Sequence, residues 1–487
     1  MRKLWLAGAA LVVLLAATGS SGAEVGRLDV PRGLKVVSYY RSDAGWAQFW
    51  TDWRPERVAA DLDRAASLHA NTVRAIVQPA AFGYPDPAAA FVAHLGEFVS
   101  LAAARGLHVQ LTLFDQWFDW ADVPGSRRWA SALLAPYVRD ARIAFVELRN
   151  ELPPTREPLA WARTMVPFLR RVLRGKTPVT VSVAGVDPVA RLRALKRGGV
   201  RPDFYDFHSF GGGGELAVDV FARAKAVAAP VPVWVGETGY PTTSAISGYG
   251  GVPRTPSAQE AAQAHFFAAT AWAARTEGLP AVGVWVLDDF VPSALPAPPV
   301  SGADPELHFG LFRVDGSAKP AVGVVRAMFS GGRFGFNRGF ERVVAAESGA
   351  AVPAEWSLNG VGASFASDST VSRSGSASAR VTSVAVASLS ITPPSAGCHG
   401  RGRVRVSAWA RRAEPGGSAF LVVEWFGRHN ERLRKRRSEP LGGERLVWQR
   451  LQVSSRAPPG AAYASVELVV EGVASPIWFD DVSFVRR

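Results

Sequence analysis

The segment Ile143-Ala-Phe-Val-Glu-Leu-Arg-Asn-Glu151 is an apolar run that ends in polar residues, and Val231-Pro-Val-Trp-Val-Gly-Glu237 repeats this form. Each apolar run has the length of a β-strand, so Glu151 and Glu237 are expected at the carboxyl ends of two strands. In barrel enzymes that rim carries the chemistry. The two glutamates therefore predict a fold and also a position within it.

The rest of the first 330 residues alternates strand-like runs with helical patterns. Several helical segments open with proline, which suits the first turn of a helix. Alternation of eight strands with helices over about 300 residues predicts an α/β fold, a (β/α)8 TIM barrel. The predicted strands are 34–39, 72–77, 108–113, 143–148, 179–183, 204–208, 231–235 and 281–287, and the predicted helices are 55–69, 87–105, 127–137, 158–174, 214–228, 258–276 and 320–329.

The composition changes after Gly331-Gly332, where helical periodicity ends. Alternating runs separated by Gly, Ser and Pro follow, for example 403–410, 419–426, 446–453 and 464–470. This pattern predicts an antiparallel β-sandwich. We therefore expect a barrel over residues 24–332 and an all-β domain over residues 333–487. The basic segment 428–437 is predicted as a solvated hairpin loop, with contact to an anionic polymer as the alternative.

The N-terminus has the pattern of a secretory signal. Arg2 and Lys3 precede an apolar stretch over residues 4–17, and small residues follow up to Ala23. The stretch is short for a membrane span, so we expect cleavage after Ala23 and a secreted or cell-surface protein. An uncleaved membrane anchor is the alternative.

Composition restricts the classes of partner. The formal net charge of +13 favours anionic partners, such as acidic glycans, an anionic cell surface or nucleic acid. A secretory signal makes nucleic acid the least favoured of these. Cys398 is the only cysteine, which excludes an intrachain disulfide and a cysteine-rich metal site. We expect a monomer without a cofactor.

Paired carboxylates at one rim suit glycoside hydrolysis, in which one acts as acid and the other as nucleophile or base. A retaining enzyme needs carboxyl groups about 5 Å apart, whereas an inverting enzyme needs roughly 6.5–9.5 Å. Sequence alone leaves both mechanisms open for Glu151 and Glu237. A single glutamate in such a position could also be a helix cap or a dipole partner.

Five segments resemble clan A of the retaining glycoside hydrolases, and most closely its cellulase-like family 5. They are Asn71-Thr-Val-Arg74, Arg149-Asn150-Glu151, Phe207-His208-Ser209-Phe210, Gly236-Glu237-Thr-Gly-Tyr240 and Val284-Trp285. The resemblance implies that Glu151 is the acid/base and Glu237 the nucleophile, steadied by Arg74. It also implies that Asn150, His208 and Trp285 contact the sugar. These roles require a low pKa for Glu237 and a raised pKa for Glu151.

The chain departs from the family 5 pattern at two positions. Leu113-Phe114-Asp115 stands at the end of the third strand, where that family has a histidine, and Phe210 replaces a tyrosine whose hydroxyl contacts the nucleophile. Tyr240 is a candidate source of that hydroxyl. After the third predicted strand, Trp117 and Trp120 are candidates for further sugar subsites.

Several of these residues also have structural interpretations. Asn150 could be a helix N-cap, and Trp285 and His208 could belong to the barrel core. Trp117 and Trp120 could equally pack a long loop.

The C-terminal part resembles jelly-roll carbohydrate-binding modules of secreted glycanases. The resemblance rests on Gly335-Phe-Asn-Arg-Gly-Phe-Glu341, Gly375-Ser-Ala-Ser-Ala-Arg-Val and Ile477-Trp-Phe-Asp-Asp-Val-Ser-Phe. It implies a possible structural calcium at Asp480 and Asp481, although capping of a turn is an equal alternative. Trp425, Trp448 and Trp478 include candidates for sugar stacking.

Three functional hypotheses follow. The first is a secreted retaining glycoside hydrolase acting on a β-glucan, mannan or related polysaccharide. The second is a catalytically silent carbohydrate-binding or cell-wall protein on a barrel scaffold. The third is an enzyme of another class on the same scaffold, because barrels host many reactions.

Overall fold

The computed structural model describes residues 27–211, 217–243, 255–332, 335–346, 348–398, 402–427 and 431–486. The predicted signal segment 1–23 lies outside these residues. Within the described ranges, no helix combines the length and apolarity that a membrane span requires.

The N-terminal unit contains parallel strands close to those predicted. Neighbouring strands pair in sequence order within two groups, β1 to β5 and β6 to β8. The fifth predicted strand is split at Val181 into β5 and β6, so the sixth and seventh predicted strands are β7 and β8. The strands are β1 (Val36–Ser38), β2 (Thr72–Ile76), β3 (His108–Thr112), β4 (Ile143–Glu147), β5 (Val179–Thr180), β6 (Ser182–Val183), β7 (Tyr205–His208) and β8 (Val233–Glu237).

Residues around Val284 close the ring between the last and first strands. Val284 forms parallel bridges with Val37 of β1 and with Thr238, directly after β8. The predicted strand 281–287 is therefore present as isolated pairings and not as a continuous strand. At Gly283 a Cβ would lie 2.0 Å from the carbonyl oxygen of Gly236, so a close backbone approach requires glycine there.

Helices surround these strands. In α2, Val58, Leu62 and Ala65 are buried at helical spacing, and Pro55 opens the first turn, as the sequence predicts. The sequence analysis missed α1, α3 and α7; of these, α7 is capped by the side chain of Asp187. The helices are α1 (Trp46–Thr51), α2 (Pro55–Ser67), α3 (Pro79–Phe82), α4 (Ala89–Ala103), α5 (Val123–Leu134), α6 (Arg156–Val172), α7 (Pro188–Arg197), α8 (Ala217–Ala228), α9 (Pro256–Glu277) and α10 (Ala321–Phe329).

The C-terminal unit is all-β and antiparallel, as predicted. Its strands are β9 (Val343–Ala345), β10 (Ala351–Pro353), β11 (Ser357–Asn359), β12 (Ser364–Asp368), β13 (Ser378–Ile391), β14 (Arg403–Arg412), β15 (Ser418–Phe426), β16 (Arg432–Arg437), β17 (Gln449–Arg456) and β18 (Tyr463–Arg486). The first half of β18 pairs with β15 and its second half pairs with β14. Inward residues of β14 and β15 meet in one apolar core, so the sheet encloses its own interior.

The basic segment corrects the sequence analysis. Residues 432–437 form strand β16, which pairs with β15, and are not part of a solvated loop. Residues 428–430 lie outside the described ranges. The strand carries Arg or Lys at every position except Leu433, and most of its side chains are exposed.

The two units are in contact through α9 and the β9–β10 hairpin. Ala258 and Ala261 of α9 pack with Val344 and Val352 of the hairpin. The hydroxyl of Thr255 donates to the carbonyl of Ala345 at 2.6 Å. The predicted boundary at residue 332 falls between α10 and β9.

Candidate active site

Glu151 and Glu237 lie together at one rim of the barrel. Glu237 is the last residue of β8, and Glu151 follows β4 by four residues. One carboxylate oxygen of each lies within 4.8 Å of the other, and within 4.8 Å of a ring nitrogen of His208. The Glu151 side chain is 41% exposed, whereas Glu237 is buried. Two residues far apart in sequence therefore face the same small space.

Arg74 is the buried cation of this site. Its guanidinium donates to the carboxylate of Glu237 and, at 2.9 Å, to the carboxylate of Glu147. Its Nε donates to Thr112 Oγ1 at 3.0 Å. The side chain is fully buried. The expected pairing of Arg74 with Glu237 is present, and Glu147 is a second partner that the sequence analysis did not identify.

The loop that carries Glu151 is held from two sides. Glu151 has φ of +50°, in the left-handed region that side chains adopt at a cost. Arg149 donates to the carbonyl oxygens of Asn150 and Glu151. The Glu151 amide donates to Ser182 Oγ at 2.8 Å. These bonds keep the Glu151 carboxylate directed over the barrel.

Asn150 connects the cation to a second acid. Its Oδ1 accepts from Arg74 at 2.8 Å, and its Nδ2 donates to Asp115 at 3.3 Å. It does not cap α6, whose N-cap is Thr155. Asp115 also accepts from Gln78 at 3.0 Å. Asp115, which follows β3, thus orients the asparagine that precedes Glu151.

His208 contacts both glutamates from β7. Its Nδ1 lies 2.8 Å from Glu151 Oε1 and 3.6 Å from Glu237 Oε1. Burial opposes the charged imidazolium, but the charges of Glu237 and Glu151 outweigh it and raise the pKa of His208 to about 9. At neutral pH the ring is therefore cationic and donates to Glu151. His208 is therefore more than a buried core residue, because its ring contacts both Glu151 and Glu237.

The pKa directions of the two glutamates are the reverse of those expected. Burial acts to raise the pKa of Glu151, yet the hydrogen bond and charge of His208 hold it below its usual range. Burial raises the pKa of Glu237, although His208 and Arg74 act in the opposite direction. The cause is geometric, because the cationic His208 is closer to Glu151 than to Glu237.

The predicted aromatic residues have different environments. Trp285 is buried, has edge contacts with Tyr40 and Trp46, and donates from Nε1 to Glu306 Oε1 at 3.2 Å. Tyr240 packs against Phe266. Among the described residues, the side-chain carboxylate of Glu237 contacts Arg74 and His208, so these contacts do not support Tyr240 as the hydroxyl beside Glu237.

Trp117 and Trp120 are half-buried. Trp117 lies against Tyr84 at 4.4 Å between ring centroids, and Trp120 lies against Trp161 at 5.3 Å. These contacts favour loop packing for both tryptophans. The exposed aromatic residue beside them is Phe118.

Three acidic residues near the site were missed. Glu147 and Asp206 are fully buried in β4 and β7, and burial, followed by the charge of Glu147, raises the pKa of Asp206 to about 8. In the loop beyond Trp285, burial and then the charge of Glu237 raise the pKa of Glu306 to about 7. Glu147 and Asp206 could have been found from the sequence, because each is a charged residue within an apolar strand.

Within the described residues, two groups have donor atoms close enough to hold a metal ion: Glu147, Asp206 and His208, and Glu151, His208 and Glu237. Arg74 already pairs with Glu147 and Glu237, and His208 Nδ1 lies 2.8 Å from Glu151 Oε1. Their arrangement therefore fits a buried acid–base network better than a metal centre.

The predicted calcium residues lie in the C-terminal unit. Asp480 accepts from the amides of Arg373, Ser374 and Asp481, and Asp481 accepts from the side chains of Arg373 and Ser374. These bonds support the turn-capping interpretation of both residues.

No protein-family model and no curated protein sequence matches the chain. Among solved structures, exo-β-1,4-mannosidase Op5Man5 from Opitutaceae bacterium strain TAV5 has a TM-score of 0.50 and 20% identity, covering 64% of this chain and 61% of that chain. GH5_18 from Streptomyces cattleya has a TM-score of 0.48 and 21% identity, covering 61% of this chain and 80% of that chain. GH5_18 from Bifidobacterium longum subsp. infantis has a TM-score of 0.48 and 18% identity, covering 63% and 82%. The chain is thus similar in fold to the mannosidase and spans less than two thirds of its length.

A Gly236→Ala substitution should destabilise the barrel at the site. The added Cβ would lie 2.2 Å from Asp206 Oδ1, which accepts from the Gly236 amide. We expect a loss of about 1–3 kcal/mol in the free energy of unfolding, measured by urea denaturation. Gly323→Ala is the control, because its Cβ would meet nothing within 4 Å in helix α10. Equal stability of the two variants would contradict this.

Stability should fall as pH rises through the titration of His208. In the folded protein the pKa of His208 is about 9, above the ordinary value near 6.5. Protonated His208 therefore stabilises the folded state fully below pH 6.5, and this contribution is lost as the pH rises towards 9. Between pH 6 and pH 9.5 the wild type should lose about 2–3 kcal/mol more than His208→Gln, measured by urea denaturation. Parallel pH profiles of the two proteins would exclude a cationic His208.

Proposed function

We propose that this chain is a retaining glycoside hydrolase that cleaves β-glycosidic bonds by double displacement. The observation that carries the proposal is the separation of Glu151 and Glu237, whose carboxylate oxygens approach within 4.8 Å. This suits the separation of about 5 Å in retaining enzymes and leaves little room for the water of an inverting one. The fold likeness to a β-mannosidase supports the same class.

In the first step Glu237 is the nucleophile. Arg74 fixes its carboxylate by a direct hydrogen bond and, as a cation, favours the anion that must attack the anomeric carbon. Glu151 protonates the leaving oxygen from the more open side of the pair. The attack yields a glycosyl–Glu237 intermediate and an alcohol.

His208 explains how an acid with a low pKa can donate a proton. With a pKa of about 9, His208 is protonated at neutral pH, and its Nδ1 lies 2.8 Å from Glu151 Oε1. A bound sugar covers the exposed part of Glu151, and exclusion of water disfavours the separated charges. The neutral pair, in which Glu151 is protonated and His208 is not, then becomes more populated. The proton is therefore on the Glu151 oxygen that faces the leaving group.

In the second step Glu151 acts as the base. Formation of the ester removes the charge of Glu237, one of the charges that raise the pKa of His208. Glu151, anionic after giving its proton to the leaving group, draws a proton from a water that attacks the anomeric carbon. Asn150, held by Arg74 and Asp115, can donate its amide to the sugar 2-hydroxyl in both steps.

The substrate class proposed is a neutral β-linked polysaccharide, either a β-glucan, a mannan or a related polymer. A β-mannoside is the first substrate to test, because the similar structure is named an exo-β-1,4-mannosidase. The proposal includes export by the N-terminal signal and a jelly-roll, carbohydrate-binding role for the C-terminal unit. A catalytically silent binding protein is disfavoured, since it has no need for a buried Arg74 that joins Glu147 to a paired Glu237.

Azide should rescue Glu237→Ala. Loss of the nucleophile should abolish turnover of an aryl β-glycoside, and azide in the vacant space should restore it with release of the α-glycosyl azide. The product is identified by NMR. Glu56→Ala, on the exposed surface of α2, is the control and should keep wild-type activity. A β-glycosyl azide, or no rescue, would overturn the role of Glu237.

Glu151→Ala should depend on the leaving group. Activity on an unactivated disaccharide should fall about 10²–10⁴-fold, because general acid catalysis is lost. A substrate with a 2,4-dinitrophenyl leaving group needs no protonation, so it should form the intermediate rapidly and show a burst of phenolate. Equal losses on the two substrates would show that Glu151 is not the acid.

A further inference from the structure

The outer face of the β14–β17 pair carries a cluster of arginines. Antiparallel register places Arg403 opposite Arg456 and Trp409 opposite Arg450. Paired residues point to the same side of a sheet, and the alternate residues Val404 and Val406 are buried in the core. Arg403, Arg405, Arg450 and Arg456 are therefore on one outward side and all are exposed. We call these four residues the arginine face.

The charges of this face are available to a ligand. Within the described residues, no ion pair or hydrogen bond engages the guanidinium groups of Arg403, Arg405 and Arg456, and Arg450 donates to the neutral Ser407. Strand β16 is more basic in sequence, but three of its cations are already engaged. Its Arg432 and Lys435 pair with Glu424, and its Arg437 covers Phe420.

The surroundings of the arginine face favour an anion over a neutral sugar. On this side Trp409 is covered by Arg373 at 3.9 Å, and Arg373 pairs with Asp481. Trp478 is buried and Trp425 is in the core, so the sugar stacking considered for these two is not supported. The remaining outward positions between the arginines, Gln452 and Ser454, are small or neutral polar residues. Trp448, half-buried directly before β17, is the stacking candidate that stays untested. Charge is therefore the main feature of this face.

The dimensions indicate a single extended polymer chain. Strands are about 5 Å apart, and six residues of strand span about 20 Å, so the face is long and narrow. A single-stranded nucleic acid would need open aromatic rings for its bases. Guanidinium groups bind carboxylates in a bidentate manner.

We propose that the arginine face binds an acidic polysaccharide through its carboxylates. The site is separate from the barrel and acts whether or not the barrel is a glycosidase. Binding depends on charge, so the affinity falls steeply with salt.

The probe is polygalacturonate, with glucomannan as the neutral polymer and a DNA duplex as the competing polyanion. The full chain is compared with Arg403→Ser/Arg405→Ser/Arg456→Ser and with Arg57→Ser/Arg193→Ser/Arg197→Ser, which removes the same charge from exposed positions of α2 and α7. Affinity for polygalacturonate should fall at least about tenfold in the first variant and less than about twofold in the second. Raising NaCl from 50 to 500 mM should weaken wild-type binding at least about tenfold.

Equal losses in the two triple variants would overturn the proposal, because net charge alone would explain binding. Tighter binding to DNA would assign the face to nucleic acid, and binding to glucomannan that ignores the arginines would assign it to neutral sugar. The variant Arg403→Lys/Arg405→Lys/Arg456→Lys should retain part of the affinity, which separates loss of charge from misfolding. Activity on a soluble aryl β-glycoside should be unchanged in all variants, so failure of binding and failure of the proposed hydrolase are distinguishable.

Discussion

The structure depends on one buried cation. Arg74 lies in the interior of the barrel, where an uncompensated charge would cost several kcal/mol. Its partners come from β4 and β8, which are far from β2 in sequence, so correct closure of the ring is the condition for neutralising the guanidinium. Glu147 takes one side of Arg74 and Glu237 the other. The need to neutralise Arg74 therefore also fixes the position of the Glu237 carboxylate at the rim.

The acid pair inherits its properties from this arrangement. Glu237 lies near two cations, Arg74, whose charge is permanent, and His208, whose charge depends on pH. Glu151 is hydrogen-bonded to His208. The titrations of His208, Glu151 and Glu237 are consequently linked, and no single carboxyl group holds the proton alone. This is why the pKa of Glu151 is lowered and not raised. The proton that the proposed mechanism needs is held by the neighbouring ring.

The sequence predicted the barrel and the pair because both leave local signals. Glu151 and Glu237 end apolar runs, and Arg74 interrupts one, so a matching carboxylate had to exist. The same reasoning, applied to Glu147 or to Asp206 and His208 at alternate positions of β7, would have found the buried network. Glu306 and the pKa directions left no such signal, since they depend on distances between separate loops and strands. The basic strand β16 was missed because its charge pattern is the same for an exposed edge strand and for a loop.

The charges of the two units favour different ligands. Near the acid pair, the carboxylates of Glu147, Glu151 and Glu237 outnumber the cations Arg74 and His208. Glu306, whose pKa is about 7, adds negative charge as the pH rises. A uronate at the point of cleavage would meet like charge in a poorly screened site, so the sugar cleaved should be neutral. The arginine face has the opposite sign and faces solvent. An acidic polymer bound to the arginine face by its carboxylates is thus disfavoured as the substrate of the proposed hydrolase. Binding would instead keep the barrel near a neutral β-glycan that occurs together with the acidic polymer.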